Sequence, residues 1–252
     1  MSTPDALAAA QARHDLEGLL ADAPGLAATL PSGFMDAMEH YVALLLEANR
    51  RTNLTRVTIP AEVARLHLLD SLAALPVIDS SAPSLAIDLG SGGGLPGMPL
   101  ALARPAIEWT LVDSVAKKAT ILRAMVAELE LRNVTVIAER AEALGQDPQH
   151  RERYGLVTAR ACASLPVLAE LALPLLERGG SLLAWKGPLK ERDEEVRRGR
   201  VAATQLGGGK PRIAETGLPA LGGHRFVTIT KERSTPPRYP RRPGEPARRP
   251  LG

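Results

Sequence analysis

From residue 85 onward, short apolar runs alternate with stretches of helical pattern, and this alternation constrains the fold more than any other feature. The strand-like runs cover residues 85–89, 107–112, 134–138, 156–159, 181–185 and 225–230. The helical stretches cover residues 95–102, 116–131, 165–176 and 188–206. Such alternation predicts an α/β fold with a Rossmann-like, mostly parallel sheet and helices on both faces. Gly222 and Gly223 closely precede the last run, which favours a late antiparallel hairpin.

A helical extension is predicted on the N-terminal side of this sheet. Residues 6–12 are rich in alanine, and residues 34–51 carry apolar side chains at spacings of three and four. Residues 61–75 continue the helical pattern. We therefore divide the chain into a variable helical segment at 1–30, a helical extension at 31–80, a sheet domain at 81–232 and a basic, proline-rich tail at 233–252.

The composition argues against several kinds of site and location. Cys162 is the only cysteine among 252 residues, so the chain forms no intrachain disulfide and no cysteine-based metal site. The five histidines lack metal-ligand spacing, and we expect no metal. No basic leader and no uncharged apolar stretch of about 18 residues is present, so we expect a cytoplasmic protein that does not enter a membrane.

Positive charge is concentrated near residue 252. The whole chain has a net charge of +3, yet residues 231–252 alone contain seven Lys or Arg and two Glu. A basic, proline-rich segment buries little apolar surface, so we expect it to be mobile. It serves either as a solubilising tail or as a contact for nucleic acid.

A glycine-rich turn joins the first predicted strand to a helix. Residues 88–97 read Asp-Leu-Gly-Ser-Gly-Gly-Gly-Leu-Pro-Gly, and such glycines allow positive φ and close approach of a ligand to the backbone. The spacing of Gly92 to Gly97 matches a dinucleotide fingerprint, so a nicotinamide-dependent oxidoreductase is one alternative. Asp88 favours S-adenosylmethionine instead, because its carboxylate attracts the ammonium group of a methionine and repels a pyrophosphate.

Two further strand ends extend this cofactor hypothesis. Asp113 follows the second strand, at the position of a ribose-binding acid. After the third strand, the amide of Ala141 and the carboxylate of Glu142 or Glu139 are candidates to bind adenine, although these acids also favour a helix N-terminus. Together with the glycine turn, these strand ends predict one S-adenosylmethionine site and a methyl-transfer reaction.

The loop after the fourth strand, residues 158–165, narrows the choice of methyl acceptor. It lacks the acid-Pro-Pro-aromatic sequence that grips an exocyclic amine, so adenine N6 is disfavoured. Cys162 is better explained as a small apolar residue than as a nucleophile. Guanine N7 has a free lone pair and no proton to lose, so placing it in line with the methyl group needs no base. Arg160 would then hold the cofactor or guanine O6.

Six short motifs follow one another along the chain. They are Asn53-Leu54-Thr55, HLLDS at 67–71, the glycine turn at 88–97, LVDS at 111–114, RACASL at 160–165 and Trp185-Lys186-Gly187. Together with the tail segment at 239–244, they resemble the bacterial ribosomal RNA small subunit methyltransferase G family, also called glucose-inhibited division protein B. The resemblance begins near residue 35. Two positions depart from it, because Gly93 stands where many members have proline and Cys162 where phenylalanine is frequent.

The resemblance implies a class I S-adenosylmethionine-dependent methyltransferase fold with a helical N-terminal extension. It also implies methylation of N7 of one guanine in 16S ribosomal RNA. The cofactor contacts expected from the motifs and the glycine turn are Gly90, Gly92, Leu95, Asp113, Ala141, Glu142 and Arg160.

Candidates on the substrate side fall into two groups. Those for positioning the guanine are Asn53, His67, Asp70, Arg160 and Lys186, although Asn53 could be a helix cap and His67 with Asp70 a local pair. Those for binding RNA phosphates are Lys117, Lys118, Lys186, Arg241 and Arg242. We expect a monomer that binds 16S ribosomal RNA in a small-subunit or ribonucleoprotein context. A non-catalytic RNA-binding assembly factor is the other alternative.

Overall fold

A seven-stranded sheet forms the centre of the computed structural model, which describes residues 3–252. The strands are β1 Leu85–Leu89, β2 Glu108–Val112, β3 Val134–Ile137, β4 Tyr154–Arg160, β5 Leu176–Lys186, β6 Arg212–Glu215 and β7 Arg225–Thr230. They lie in the order β3-β2-β1-β4-β5-β7-β6. β1 to β5 pair in parallel, whereas β7 runs antiparallel between β5 and β6. The predicted α/β fold and the late antiparallel hairpin are confirmed.

Seven helical segments precede the sheet within the described residues 3–84. They are α1 Pro4–Ala21, α2 Pro24–Ala27, α3 Phe34–Asn49, α4 Pro60–Glu62, a π-helical segment Val63–Leu69, α5 Asp70–Leu72 and α6 Leu75–Ser81. This extension shares one apolar core with a face of the sheet. Tyr41 of α3 is fully buried and donates its hydroxyl to the carbonyl of Gly93 over 3.1 Å. The extension is therefore anchored directly on the glycine turn.

Helices cover both faces of the sheet. Successive side chains of a strand point to opposite faces, so a strand contributes residues to both cores. In β4, Leu156 packs into the core on one face and Val157 into the core on the other. The first face is covered by the extension with α7 Gly97–Ala103 and α8 Ala116–Glu128. The second is covered mainly by α9 Ala141–Leu144, α10 Leu165–Ala172 and α11 Glu194–Gln205. No helix among residues 3–252 is both long and apolar enough to cross a membrane.

Three local expectations need correction. The edge strand β6 was missing from the predicted set, because its sequence Arg-Ile-Ala-Glu has no buried residue and its conformation depends on pairing with β7. The helix expected from residue 188 begins only at Glu194, after Asp193 in extended conformation. The helix expected over 61–75 contains the π-helical segment, which changes the directions in which its side chains point.

Residues 233–252 are not the mobile tail that their composition suggests. The guanidinium of Arg151 donates to the carbonyls of Thr235 and Tyr239 over 2.8 and 2.7 Å. Gln146 donates to the carbonyl of Pro240 over 2.8 Å, and the short helix α12 Glu245–Arg248 follows. The tail is held by side chains that stand more than 80 residues earlier, so its own composition carries no sign of this packing.

A buried ion pair fixes the tail to α10. The carboxylate of Glu170 is fully buried and accepts hydrogen bonds from the backbone N–H of Arg241 over 2.9 Å and from its Nε over 2.8 Å. Its second oxygen accepts from Nη2 of the same guanidinium. This carboxylate holds the pKa of Arg241 above its usual range. Arg241 is thus engaged with protein, which leaves Arg242, exposed beside it, as the freer of the two cations predicted to bind phosphate.

We expect Arg241→Ala to destabilise the protein by about 3 kcal/mol, because it leaves the buried Glu170 carboxylate without its charged partner. The matched control is Arg242→Ala, an exposed neighbour whose removal should change the free energy of unfolding by less than about 0.5 kcal/mol. Urea denaturation of both variants and wild type measures the difference. Equal stabilities would show that the ion pair does not hold the tail.

Candidate functional site

A cleft of about 700 Å³ opens at the carboxyl ends of β1, β4 and β5, beneath the helical extension. This is where the strand order reverses between β1 and β4, the usual position of ligands in such sheets. Its volume lies within the range of small-molecule sites. It is lined by Leu54, Thr55, Val57, Leu66, His67, Asp70, Gly90, Ser91, Gly92, Gly93, Leu95, Lys118, Arg160, Ala161, Trp185, Lys186, Gly187 and His224.

The glycine turn supplies one wall of the cleft as nearly bare backbone. Gly90 and Gly92 have φ of 71° and 57°, values that side chains other than glycine rarely adopt. The N–H of Gly90 donates to the carbonyl of Val112 over 2.9 Å, and that of Gly92 donates to a carboxylate oxygen of Asp113 over 2.9 Å. A Cβ on Gly90 would come within 3.0 Å of the Cβ of Cys162. The turn is therefore shaped for close approach of a ligand.

Asp88 lies fully buried under this turn. Its Oδ1 accepts a hydrogen bond from the hydroxyl of Thr158 over 2.7 Å, whereas its Oδ2 has no hydrogen-bond partner among the described residues. Burial raises the pKa of this carboxyl group to about 6. A buried carboxylate with an unpaired oxygen favours a cationic group nearby. These residues fit the ammonium end of S-adenosylmethionine better than they fit a pyrophosphate.

The residues predicted for ribose and adenine lie outside the cleft lining. Asp113 is buried, and its carboxylate accepts from the backbone N–H groups of Gly92 and Val115 over 2.9 and 2.8 Å. Asp113 thus braces the glycine turn. Glu142 accepts at Oε1 from Arg140 over 3.0 Å and from the N–H of Gly244 over 2.8 Å. Its Oε2 accepts no hydrogen bond from residues 3–252 and is the oxygen left for a ligand.

The carboxyl group of Glu142 is ionised at neutral pH. Burial acts to raise its pKa, but the hydrogen bonds from Arg140 and Gly244 outweigh burial and hold the pKa below its usual range. An ionised carboxylate only accepts hydrogen bonds, which matches the predicted contact with an amino group of adenine.

Asp70 joins the helical extension to the end of the sheet. Its Oδ2 is 3.0 Å from Nη1 of Arg160, and its Oδ1 is 2.8 Å from Nδ1 of His224. The indole N–H of Trp185 donates to the backbone carbonyl of Asp70 over 2.8 Å. Arg160 also donates to the carbonyl of Leu66, within the π-helical segment, over 3.0 Å. Asp70 thus fixes Arg160 of β4 and His224 of the loop before β7 through its carboxylate, and Trp185 of β5 through its backbone carbonyl.

His67 lies beside this ion pair and is neutral at physiological pH. Its Nε2 is 2.6 Å from the hydroxyl oxygen of Thr55, and its Nδ1 is 3.5 Å from Nη2 of Arg160. Burial and then the positive charge of Arg160 lower the pKa of His67 to about 4. The predicted pair of His67 with Asp70 is mediated by Arg160, because no direct hydrogen bond joins the two side chains within the described structure.

Asn49 holds the motif 53–55 against the cleft. Its Oδ1 accepts from the backbone N–H groups of Leu54 and Thr55 over 2.8 and 2.9 Å, and its Nδ2 donates to the carbonyl of Thr55 over 3.0 Å. Leu54 and Thr55 consequently line the cleft, while Asn53 is exposed and does not.

The predicted phosphate-binding lysines differ in their freedom. Lys186 lines the cleft but donates to Glu195 over 2.7 Å and to the carbonyl of Ala163 over 2.8 Å. Lys118 also lines the cleft, and Lys117 beside it is exposed, with its Nζ 3.3 Å from the carbonyl of Arg51. Lys117 and Lys118 are therefore better placed to meet a phosphate than Lys186 is.

Comparison with known proteins identifies the family of this chain. The family model described as rRNA small subunit methyltransferase G matches residues 35–212. A Roseiflexus castenholzii protein named Ribosomal RNA small subunit methyltransferase G is 46% identical over 218 residues, 86% of this chain and 92% of the relative. A Deinococcus deserti protein of the same name is 44% identical over 218 residues, 86% of this chain and 88% of the relative.

The chain belongs to the rRNA small subunit methyltransferase G family.

Solved structures of methyltransferases share the fold. An O-methyltransferase from Bacillus cereus in complex with SAH has a TM-score of 0.52 and 18% identity, and the match covers 74% of this chain and 89% of that one. A SAM-dependent O-methyltransferase from Thermotoga maritima has a TM-score of 0.50 and 14% identity over 76% of this chain and 72% of that one. These likenesses bear on the fold alone.

Membership of the methyltransferase G family confirms the predicted methyltransferase activity and the S-adenosylmethionine cofactor. The nicotinamide-dependent oxidoreductase is thereby set aside. Among residues 3–252, no group of three or more His, Cys, Asp or Glu side chains could hold a metal ion.

The cleft brings together only part of the predicted site. Of the predicted residues, Gly90, Gly92, Leu95, Arg160, His67, Asp70, Lys186 and Lys118 line it. Thr55 and Trp185 also line the cleft but were not among the predicted site residues. Both lie in the six sequence motifs, and that position is the signal that could have identified them. Asn49 and His224 carried no such signal, because their roles depend on contacts that form only in the folded chain.

We expect Gly90→Val to lower the affinity for S-adenosylhomocysteine at least tenfold. A β-branched residue at this positive φ is strained, and its side chain would meet Cys162. Gly187→Ala is the matched control, since Gly187 lines the same cleft but a Cβ there meets nothing within 4 Å. Isothermal titration calorimetry compares the two variants, and unchanged affinity in Gly90→Val would contradict this role of the turn.

We expect the stability of the protein to fall in acid partly through His67. In the unfolded chain, His67 takes up a proton near pH 6.5, the ordinary pKa of a histidine. In the folded protein it does so only near its pKa of about 4. The free energy of unfolding therefore falls as the pH drops from about 6.5 towards 4, by up to about 3 kcal/mol for this group.

Urea titrations from pH 7 to pH 4.5 test this effect against His67→Gln, which cannot titrate. The stability advantage of wild type over His67→Gln should shrink with falling pH. The control is His40→Gln, which makes the same substitution at an exposed histidine. A constant difference between wild type and His67→Gln would rule the effect out.

Proposed function

We propose that this member of the methyltransferase G family methylates N7 of one guanine in 16S ribosomal RNA, acting as a monomer in the cytoplasm. S-adenosylmethionine supplies a methyl group that its sulfonium centre makes electrophilic. The substrate would be RNA in a small-subunit or ribonucleoprotein context.

The observation that carries the choice of N7 is the state of the titratable groups in the cleft. His67 is neutral, and both of its nitrogens already face partners. The two carboxylate oxygens of Asp70 are taken by Arg160 and His224. Neither His67 nor Asp70 is therefore left to remove a proton from an acceptor, and among the described residues lining the cleft only the imidazole of His224 keeps a ring nitrogen, Nε2, without a hydrogen-bond partner. Guanine N7 needs no proton removed.

The contribution of the protein is then mainly positional. An acceptor with a free lone pair reacts once it is held in line at near-attack distance, and such positioning can account for most of the acceleration. Trp185 offers a fixed aromatic surface for this, because its N–H is bound to Asp70 and its ring packs edge-on against Phe226 at 5.1 Å.

The cofactor-binding set of this proposal keeps all seven residues. Backbone at Gly90 and Gly92 and the side chain of Leu95 would border the methionine part, where Arg160 approaches from β4. The remaining three, Asp113, Ala141 and Glu142, would contact the ribose and adenine from the next two strand ends.

RNA binding is assigned chiefly to cations that form no ion pair within residues 3–252. Lys117, Lys118 and Arg242 are the proposed phosphate contacts. Lys186 and Arg241 are bound to Glu195 and Glu170, so a phosphate would have to displace a carboxylate before either could bind it.

The full-length protein should transfer one labelled methyl group to 16S ribosomal RNA from cells that lack it, and mapping should place the methyl on N7 of a single guanine. Substitution of that nucleotide by 7-deazaguanosine removes the acceptor atom and should abolish transfer. S-adenosylhomocysteine, but not NAD, should raise the melting temperature of the protein.

Single-turnover conditions separate this proposal from a non-catalytic assembly factor. Tight RNA binding without transfer would support the assembly factor, whereas transfer to the 7-deazaguanosine substrate would identify a different acceptor atom.

A further inference from the structure

The hydroxyl oxygen of Thr55, a residue in the cleft wall, makes two close polar contacts within the protein. It accepts a hydrogen bond from the backbone N–H of Val57 over 3.0 Å. It also lies 2.6 Å from Nε2 of His67. A hydroxyl group has two acceptor lone pairs and one donor hydrogen, so the direction of the His67 contact decides what Thr55 can offer to a ligand.

Arg160 fixes that direction. A guanidinium group only donates hydrogen bonds, and Nη2 of Arg160 faces Nδ1 of His67 at 3.5 Å. A hydrogen on Nδ1 would point at this cation, so we assign the single hydrogen of the neutral ring to Nε2, with the carbonyl of Leu66 as the backbone group close to the ring. His67 therefore donates to Thr55, and both lone pairs of the Thr55 oxygen are used.

The hydrogen of the Thr55 hydroxyl is left for another acceptor. Within the described structure its one acceptor is the carbonyl of Val57, at 3.5 Å, which is long for a hydroxyl donor. Thr55 lines the cleft, and Asn49 fixes its backbone, so the residue is held in place in the cleft wall.

We propose that Thr55 is a one-way hydrogen-bond donor, meaning that its hydroxyl donates to an oxygen atom of the bound substrates but cannot accept a hydrogen bond from them. His67 is the positioning residue that enforces this direction. The inference rests on the proposed function for the identity of the substrates. Two oxygens have the required chemistry, namely O6 of the guanine and the carboxylate of the methionine end of the cofactor.

The guanine arm of the proposal gives the cleft a means of base selection. Guanine presents the acceptor O6 next to N7, whereas adenine presents an amino group at the same position. A hydroxyl with both lone pairs occupied cannot accept from that amino group. A one-way donor would therefore admit guanine and disfavour adenine, although both purines offer an N7 lone pair.

The first test measures the tautomer of His67 in the full-length protein without substrates. Imidazole nitrogen chemical shifts of labelled protein distinguish hydrogen on Nε2 from hydrogen on Nδ1, and His67→Gln assigns the signals. We expect hydrogen on Nε2. Hydrogen on Nδ1 would overturn the proposal, because Thr55 would then donate to His67.

The second test compares Thr55→Val with Thr55→Ser, which restores the hydroxyl. Calorimetry gives the affinity for S-adenosylhomocysteine, and single-turnover assays give kcat/KM for the RNA. Thr55→Val should lower one of the two roughly tenfold, the loss of one useful hydrogen bond, and Thr55→Ser should recover most of it. A loss of cofactor affinity identifies the methionine carboxylate as the acceptor. A loss of kcat/KM with unchanged cofactor affinity identifies guanine O6.

The matched control is Thr58→Val, an exposed threonine of the same loop that does not line the cleft and should match wild type in both measurements. Wild-type values in Thr55→Val, or a Thr55→Ser variant as defective as Thr55→Val, would overturn the donor role. Wild-type protein that binds S-adenosylhomocysteine but never methylates RNA would refute the proposed function. The tautomer and calorimetric results would still report on Thr55.

Discussion

The ion pair between Asp70 and Arg160 is the interaction on which the site depends. Oδ2 of Asp70 lies 3.0 Å from Nη1 of Arg160, and the two side chains are only 4% and 14% exposed, respectively. Burying such a pair contributes little net stability, but it specifies one arrangement of the parts that it joins. Here it joins the helical extension to the carboxyl end of β4. The cleft lies between these two elements, and the hydrogen bond from Tyr41 to the carbonyl of Gly93 gives the extension a second attachment to the sheet.

The same pair also sets the electrostatics of the cleft. Burial and then the positive charge of Arg160 keep a proton off His67, and the carboxylate of Asp70 compensates the charge of Arg160. The neutral imidazole and the internally balanced ion pair add little net charge to the cleft. The buried Asp88 carboxylate lies below the glycine turn, and its Oδ2 has no hydrogen-bond partner among the described residues. Lys118 in the cleft wall and Lys117 beside it are the cations that we propose bind the RNA.

Much of this architecture could be predicted because it is encoded locally. The alternation of strands and helices predicts the sheet, and the glycine turn predicts the ligand edge, since both follow from neighbours within about ten residues. Features set by distant partners could not be predicted in this way. The edge strand β6 forms because β7 is present, and the π-helical segment places Leu66 and His67 against an arginine more than 90 residues away. Neither leaves a periodic pattern in its own stretch of sequence.

The contact between the tail and α9 has a consequence for biosynthesis. Gly244 donates to Glu142 from 102 positions further along the chain. At about 5 to 20 residues per second, the ribosome makes that donor roughly 5 to 20 seconds after the acceptor. The hydrogen bond between the N–H of Gly244 and the Glu142 carboxylate therefore forms only after nearly the whole chain has been synthesised. A polypeptide terminated before residue 244 would leave this oxygen of Glu142 with Arg140 as its only remaining partner among the described residues.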